Sequence, residues 1–368
     1  MTQKEYKKFF LRFVICSGVL LFLAALVVFL FDPFFHYHGL WMGMKGVQTK
    51  EEFQVNGALE HLDYDAVLLG ASVTMNINTD PLDEYFGCRT QKAVASGAHC
   101  CTLAYYLDKA YQNREIRYVF WGLDPDQIFY EIDDPPTQDQ ILYLRDKNPF
   151  NDVNYLWNAD VLLQEIPHAA GLSWKNAYDP GMAYDFLSIK DPGIEDAIAT
   201  HHPEGEVKPV RRGTEGEAKA RLEANLDLIE ELVAAHPETE FKFFFTVSSI
   251  LWWDIHYRDG NYEKYFDGQK RAVERLSAYR NVRFYSGVFN DRACLLDLTH
   301  YYDYCHSDRE INLRQAQSII NEDRIITTDN ITEETDTLRD ILFEFEDRLM
   351  DEGGDWSFLY EYAGMADQ

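Results

Sequence analysis

Ala66-Val67-Leu68-Leu69-Gly70-Ala71-Ser72 carries a short apolar run into two small residues and a serine. A run of this length with no polar alternation is the pattern of a strand buried on both faces, as in a parallel sheet, and Gly70 marks its end. Far downstream stands Asp303-Tyr304-Cys305-His306-Ser307. An aliphatic hydroxyl becomes a nucleophile at neutral pH only beside a base, and the base works best when a third group orients it. Ser72, His306 and Asp303 supply those three parts. The same residue types also occur by chance, as a strand-end serine and a surface Asp/His pair, so the pattern draws its weight from its context.

Working outward, Tyr64 onward alternates short apolar runs with longer amphipathic stretches, the pattern of a parallel sheet covered by helices. Strands are predicted at Ala66–Leu69, Ala93–Ala95, Tyr118–Trp121, Phe241–Val247 and Val282–Tyr285. Helices are predicted at Thr102–Asn113, Glu215–Ala235 and Tyr262–Tyr279, with Leu222, Leu226, Ile229 and Leu232 at helical spacing. The fold class is therefore α/β, a three-layer α/β/α domain of flavodoxin-like type with one N-terminal transmembrane helix. In such open sheets ligands bind beyond the carboxyl ends of the strands, and Ser72, Gly97 and Asp124 each follow a predicted strand. Loop ends carry these residue types for ordinary reasons too.

The organisation predicted is a cytoplasmic N-terminus and membrane helix over 1–32, a juxtamembrane connector over 33–60, and the α/β domain over 61–325. An insertion at 126–212 interrupts that domain, and an acidic helix and tail follow over 326–368. Periodicity fails inside the insertion, which is rich in Asp, Pro, Tyr and Trp and includes Asp133-Asp134-Pro135-Pro136 and His201-His202-Pro203. A stretch this long is a lid, a covering insertion or a partly disordered segment, with short helices such as one around Tyr155–Glu165. Leu338, Ile341, Leu342, Phe345 and Leu349 give the tail one apolar face, which packs on the domain or on a partner.

Phe13 to Phe31 are 19 consecutive uncharged positions, mostly apolar; at about 1.5 Å per residue they reach roughly 28 Å, the thickness of a bilayer core. Lys4, Lys7, Lys8 and Arg12 precede the run and the next basic residue after it is Lys45, which puts the N-terminus in the cytoplasm and the rest outside the cell membrane. Asp32-Pro33-Phe34-Phe35-His36-Tyr37-His38 follows the run, an interfacial aromatic cluster rather than a small-residue cleavage site.

The formal net charge of −28 repels nucleic acid and other polyanions. Six cysteines occur without the spacing of a zinc site, so neither a metal nor a cofactor is expected, and disulfides are permitted without being deducible. Cys305 beside His306 is either a second nucleophile candidate or a small buried hydrophobe. Two D-x-x-H strings compete, Asp297 to His300 and Asp303 to His306. The second runs into Ser307-Asp308-Arg309-Glu310, which reads as a capping box with Ser307 as the cap, fixing His306 just before a helix. Ser248, Ser249, Trp252, Trp253 and His256 follow the fourth strand, either as a glycan-stacking mouth with Ser248 on the substrate side or as a core cluster.

Taken together, Leu68-Leu69-Gly70-Ala71-Ser72-Val73-Thr74, the glycine of Ala95-Ser96-Gly97-Ala98, and Asp303-x-x-His306-Ser307 resemble the SGNH/GDSL hydrolase superfamily. The likeness is greater to its membrane-anchored extracytoplasmic branch, which includes the DltD-like and alginate-acetylation AlgX/AlgJ-like proteins. The resemblance implies oxyanion contacts from the Ser72 and Gly97 amides and a third from an asparagine, where this chain has Asp124 in Gly122-Leu123-Asp124-Pro125. An ionised carboxylate accepts but cannot donate. It further implies a serine esterase or O-acyltransferase, acetyl being the expected group, acting on an extracellular polysaccharide beside a multipass membrane acyltransferase. The alternative is an inactive glycan-binding or scaffold member of the same fold, its oxyanion hole decayed at Asp124.

Overall fold

The computed structural model describes residues 2–41, 43–132, 139–146, 148–186, 191–202, 207–211, 214–322 and 324–367. The stretch Asp133-Asp134-Pro135-Pro136 and Pro203 lie outside the described residues. Two compact units are present, Met1–Leu62 with Gln138–Pro180, and Asp63–Thr137 with Gly181–Gln368.

The second unit is built on six strands: β1 (Ala66–Gly70), β2 (Thr90–Val94), β3 (Tyr118–Leu123), β4 (Glu240–Phe245), β5 (Val282–Tyr285) and β6 (Ile325–Ile326). Their order is β2-β1-β3-β4-β5-β6, with every pair parallel except the antiparallel β5 and β6. β1 is buried at all five positions, as its uninterrupted apolar run requires. Trp121, Phe243 and Phe284 stand in register across three strands and stack at 5.5 and 5.1 Å. The opposite pleat brings Leu68, Phe120, Phe244 and Tyr285 into one cluster with Ile77, Leu82, Ala316 and Ile319, so the helices Asp80–Phe86 and Arg309–Ile320 cover that face. The helices Cys100–Asn113, Gly216–Ala235 and Tyr262–Leu276 pack side by side as the second helical layer.

The second strand begins at Thr90 rather than at the predicted Ala93, because it buries a lysine. The ammonium of Lys92 is 1% exposed and donates to the carbonyls of Met75 and Ala183 at 2.8 and 2.9 Å, which meets part of the cost of burying it. The tail helix runs over Ile331–Asp351 and lies on the domain. Leu338, Leu342, Phe345 and Leu349 are buried, and Arg339 holds Glu263 through two bonds of 3.1 and 3.2 Å.

In the first unit, Gln3–Phe31 forms one helix long and apolar enough to cross a membrane. Asp32 ends it in a left-handed conformation and is 2% exposed, because its carboxylate becomes a hub. Oδ1 accepts from the His36 amide and the Tyr155 hydroxyl at 3.0 and 2.8 Å, and Oδ2 from the Tyr37 and His38 amides at 2.7 and 3.0 Å. The stretch predicted as a connector over 33–60 leads into the helix Glu51–His61, which ends one residue beyond it. Short helical turns at Val153–Leu156 and Val161–Glu165 lead into the helix Ile166–Trp174.

A side chain that packs on the domain rather than on a partner has a stability signature. Leu342→Ala removes a fully buried leucine, and truncations of this kind cost about 2–5 kcal/mol. Thermal or urea unfolding of the isolated protein is expected to show that loss; an unchanged midpoint would mean the tail helix contributes nothing to the fold.

Candidate active site

Because β1 to β4 run parallel, their carboxyl ends share one edge of the sheet, and four loops leave from it. The first carries Ser72, which opens the short helix Ser72–Met75 directly after β1 and is half-buried. This strand-to-helix turn is tight. A Cβ at Gly70 or at Gly122 on the neighbouring strand would collide with the side chain of Thr74, so both positions are restricted to glycine. The loop after β2 carries Gly97, exposed and at φ +60°, and the Ala95 amide bonds the Gly70 carbonyl at 3.4 Å, tying this loop beside the serine.

His306 reaches the same edge from a hairpin-like loop closed by a bridge between Tyr301 and Ser307 and by the Tyr302 amide on the His306 carbonyl at 3.0 Å. Within it, Asp303 Oδ1 accepts from the amides of Cys305 and His306, both at 2.8 Å, while Oδ2 meets His306 Nδ1 at 2.6 Å. The three-residue spacing is therefore structural: one carboxylate oxygen folds the turn and the other holds the ring. His306 Nε2 lies 2.9 Å from Ser72 Oγ. A carboxylate only accepts, so Nδ1 carries the proton and Nε2 is the acceptor for the serine hydroxyl. The edge of Phe186 packs on the imidazole at 5.4 Å. Burial works to raise the Asp303 pKa, but the His306 bond and charge and the two amides outweigh it and hold it down to about 2.

Asp124 follows β3 and is 9% exposed, with Thr246 Oγ1 donating to its Oδ1 at 2.6 Å. Burial above all, and then the charge of Asp126, push its carboxyl up to about 7 against the pull of that bond. The neutral form keeps an O–H, so the objection that a carboxylate cannot donate holds only above that pH. Ser248 is buried in the loop after β4, between Val247, whose amide bonds Gln315 at 3.1 Å, and Ser249, whose hydroxyl bonds the Tyr304 carbonyl.

One expectation shifts, and two alternatives left open by the sequence separate. The helix after His306 is capped by Asp308, whose Oδ1 accepts from the Glu310 and Ile311 amides at 3.0 and 3.2 Å, not by Ser307. Ser307 is buried and engaged with Tyr301 and Asn312, which leaves it unable to cap. His300 is oriented by Asp308 at 2.8 Å and stands 3.9 Å from Asp297, so the competing D-x-x-H string is not an equivalent pair. Trp252 and Trp253 are buried against Tyr265 and Phe266, and His256, pushed down to about 4 by burial, joins them; this cluster is core and offers no stacking face to a sugar.

Asp303, Cys305 and His306 present donor atoms within 4.8 Å of one another, as a metal site does. Burial, followed by the Asp303 charge, pushes the Cys305 thiol far up, so without a metal it stays protonated and is a poor nucleophile. Cys16, Cys88, Cys100, Cys294 and Cys305 are free thiols.

No known protein family and no curated protein matches the chain. Among solved structures it is similar to one from Streptococcus pneumonia described provisionally as a platelet activating factor, at 15% identity and TM-score 0.38 over 74% of this chain and 90% of that one. A likeness so distant says nothing of activity.

The raised Asp124 pKa has a stability consequence. Its ionisation is disfavoured in the folded state, so stability falls as pH rises from the ordinary 3.8 to about 7 and is level above that. Asp124→Asn escapes this loss. Its advantage in unfolding midpoint is expected to be smallest in acid, to widen across that window and then to stay constant; a difference independent of pH would place the carboxyl in a solvated environment.

Proposed function

We propose that the protein is a membrane-anchored, extracytoplasmic serine esterase or O-acyltransferase that removes or moves an O-acyl group, acetyl foremost, on a cell-surface or extracellular polysaccharide. The observation that carries this reading is the unbroken relay from Asp303 through His306 to Ser72, at 2.6 and 2.9 Å. In the reaction, Nε2 takes the Ser72 proton as Oγ attacks the acyl carbon, and the C–O bond to the sugar breaks as the same imidazolium protonates the leaving hydroxyl. An acyl-serine results. Water or a second sugar hydroxyl then gives its proton to His306 and attacks, and Ser72 leaves with that proton.

Asp303 keeps the tautomer and compensates the imidazolium formed in each half. The tetrahedral oxyanion is held by the Ser72 and Gly97 amides, and Asp124 in its neutral form supplies the third donor that an asparagine supplies in the resembling superfamily. The acidic chain favours a neutral glycan over a polyanionic one. The anchor suits work on a polymer at the membrane, beside a multipass membrane acyltransferase.

Full-length protein in detergent is expected to label with a fluorophosphonate probe, and Ser72→Ala to abolish the label. Asp303→Asn should slow labelling by roughly 10⁴-fold, because it leaves the ring in the wrong tautomer. A folded parent protein that never labels would instead support the inactive glycan-binding or scaffold reading.

A further inference from the structure

The N-terminal helix is accompanied for part of its length by the segment 150–174 of the same unit. Tyr155, Val161 and Ile166 pack with Val28 of the helix in one buried cluster, with Leu156, Leu162 and Val27 at its margin. The indole N–H of Trp157 donates to the Leu21 carbonyl at 2.9 Å. Leu21 lies ten residues before Phe31, about 15 Å back along the helix axis, and a bilayer core is roughly 30 Å thick. The carbonyl that Trp157 reaches is therefore near the middle of the span.

The rest of the segment turns apolar groups outward. Phe150 is 87%, Leu163 70%, Trp174 91% and Trp157 50% exposed. Beside Trp174 is a cavity of about 340 Å³ walled largely by apolar residues, among them Phe31, Leu40, Met44, Ile166 and Ala170. Large rings and leucines facing water cost free energy, while the same groups facing hydrocarbon do not. At the turn, polar atoms bond one another: Asn158 Oδ1 accepts from the amides of Asp160 and Val161, and Gln164 donates to Asp160 at 2.6 Å; Asn154 and His168 are exposed and suit the headgroup side. The Trp157 N–H is satisfied by Leu21, so its ring enters an apolar medium without leaving a donor bare.

We propose that residues 150–174 form a second membrane element, seated in the leaflet that holds the carboxyl-terminal half of the span, with lipid acyl chains covering Phe150, Trp157, Leu163 and Trp174. The proposal rests on the reading of the N-terminal helix as a membrane span. Asp160, exposed at the turn, limits the seat to the headgroup and upper acyl region, about 5–10 Å deep as for other interfacial helices, with the Trp157 ring reaching further. Two contacts with the bilayer, one spanning and one interfacial, fix the orientation of this unit where a single helix would let it swivel. His38 and Trp41 reinforce that hold by bonding the Phe29 and Leu30 carbonyls at 2.8 and 2.7 Å, at the depth where amphipathic rings settle.

The test uses the full chain in phosphatidylcholine–phosphatidylglycerol vesicles, with nitroxide labels on single cysteines at positions 4, 19, 163 and 174. Cys16, Cys101 and Cys305, the three that are not buried, are changed to alanine. Collisions with lipid-soluble oxygen should exceed those with an aqueous nickel chelate at 19, 163 and 174, with the reverse at 4. Water-like labels at 163 and 174 with a lipid-like label at 19 would overturn this proposal and leave the span intact. A water-like label at 19 would overturn the span itself. Labels at 163 and 174 shielded from both reagents would mean that protein, not lipid, covers the face, and would equally overturn it.

Discussion

The imidazole of His306 is fixed between two oxygens, Asp303 Oδ2 at 2.6 Å and Ser72 Oγ at 2.9 Å, and the architecture around it explains how this is possible. Ser72 is positioned by a strand that must end where it does, since Gly70 and Gly122 leave no room for a Cβ beside Thr74. Asp303 is positioned by its own turn, which it folds by accepting two amides with the oxygen the imidazole does not use. The two halves are separated by more than two hundred residues in sequence, so only the shared edge of a parallel sheet brings them together. The work done at that edge is electrostatic as much as geometric. A carboxylate held at a pKa of about 2 stays ionised through any physiological pH and so compensates an imidazolium whenever one forms.

Burial, reinforced by negative charge, constrains what else the site does. Burial comes first in setting the Cys305 thiol, and the charges of Asp303, Asp124 and Asp126 add to it, which removes the nearest competing nucleophile. The same crowding, after burial, holds Asp124 near neutrality, where it retains a proton for part of its population. A residue that the sequence alone presents as an obstacle to oxyanion binding is thereby compatible with it. Thr246 fixes one oxygen of that carboxyl and leaves the other.

How much of this was legible in the sequence depended on the range of the interactions involved. β1, β3, β4 and β5 are visible because their apolar runs answer only to burial, and the D-x-x-H spacing is visible because the turn it makes is local. The start of β2 was hidden by Lys92, whose place inside is secured by two carbonyls distant in sequence. Two-residue β6 has too little sequence to read. The cap fell one residue late because Ser307 had been claimed by a bridge to Tyr301 that no linear pattern records. Nor does the sequence show that residues 138–180 join the N-terminal segment in one unit, since the bonds responsible, from Tyr155 to Asp32 and from Tyr37 to Asp152, cross more than a hundred residues.

The central claim is chemical, that the Ser72 hydroxyl becomes covalently acylated during turnover. Incubating the full-length protein with an activated acetyl ester, quenching in acid and mapping the adduct by peptide mass spectrometry tests it most directly. The account predicts an acetyl group on the peptide containing Ser72, lost on longer incubation and absent from a His306→Ala variant. An unmodified Ser72 peptide from folded protein, or acetylation spread over surface residues with no dependence on His306, would contradict it.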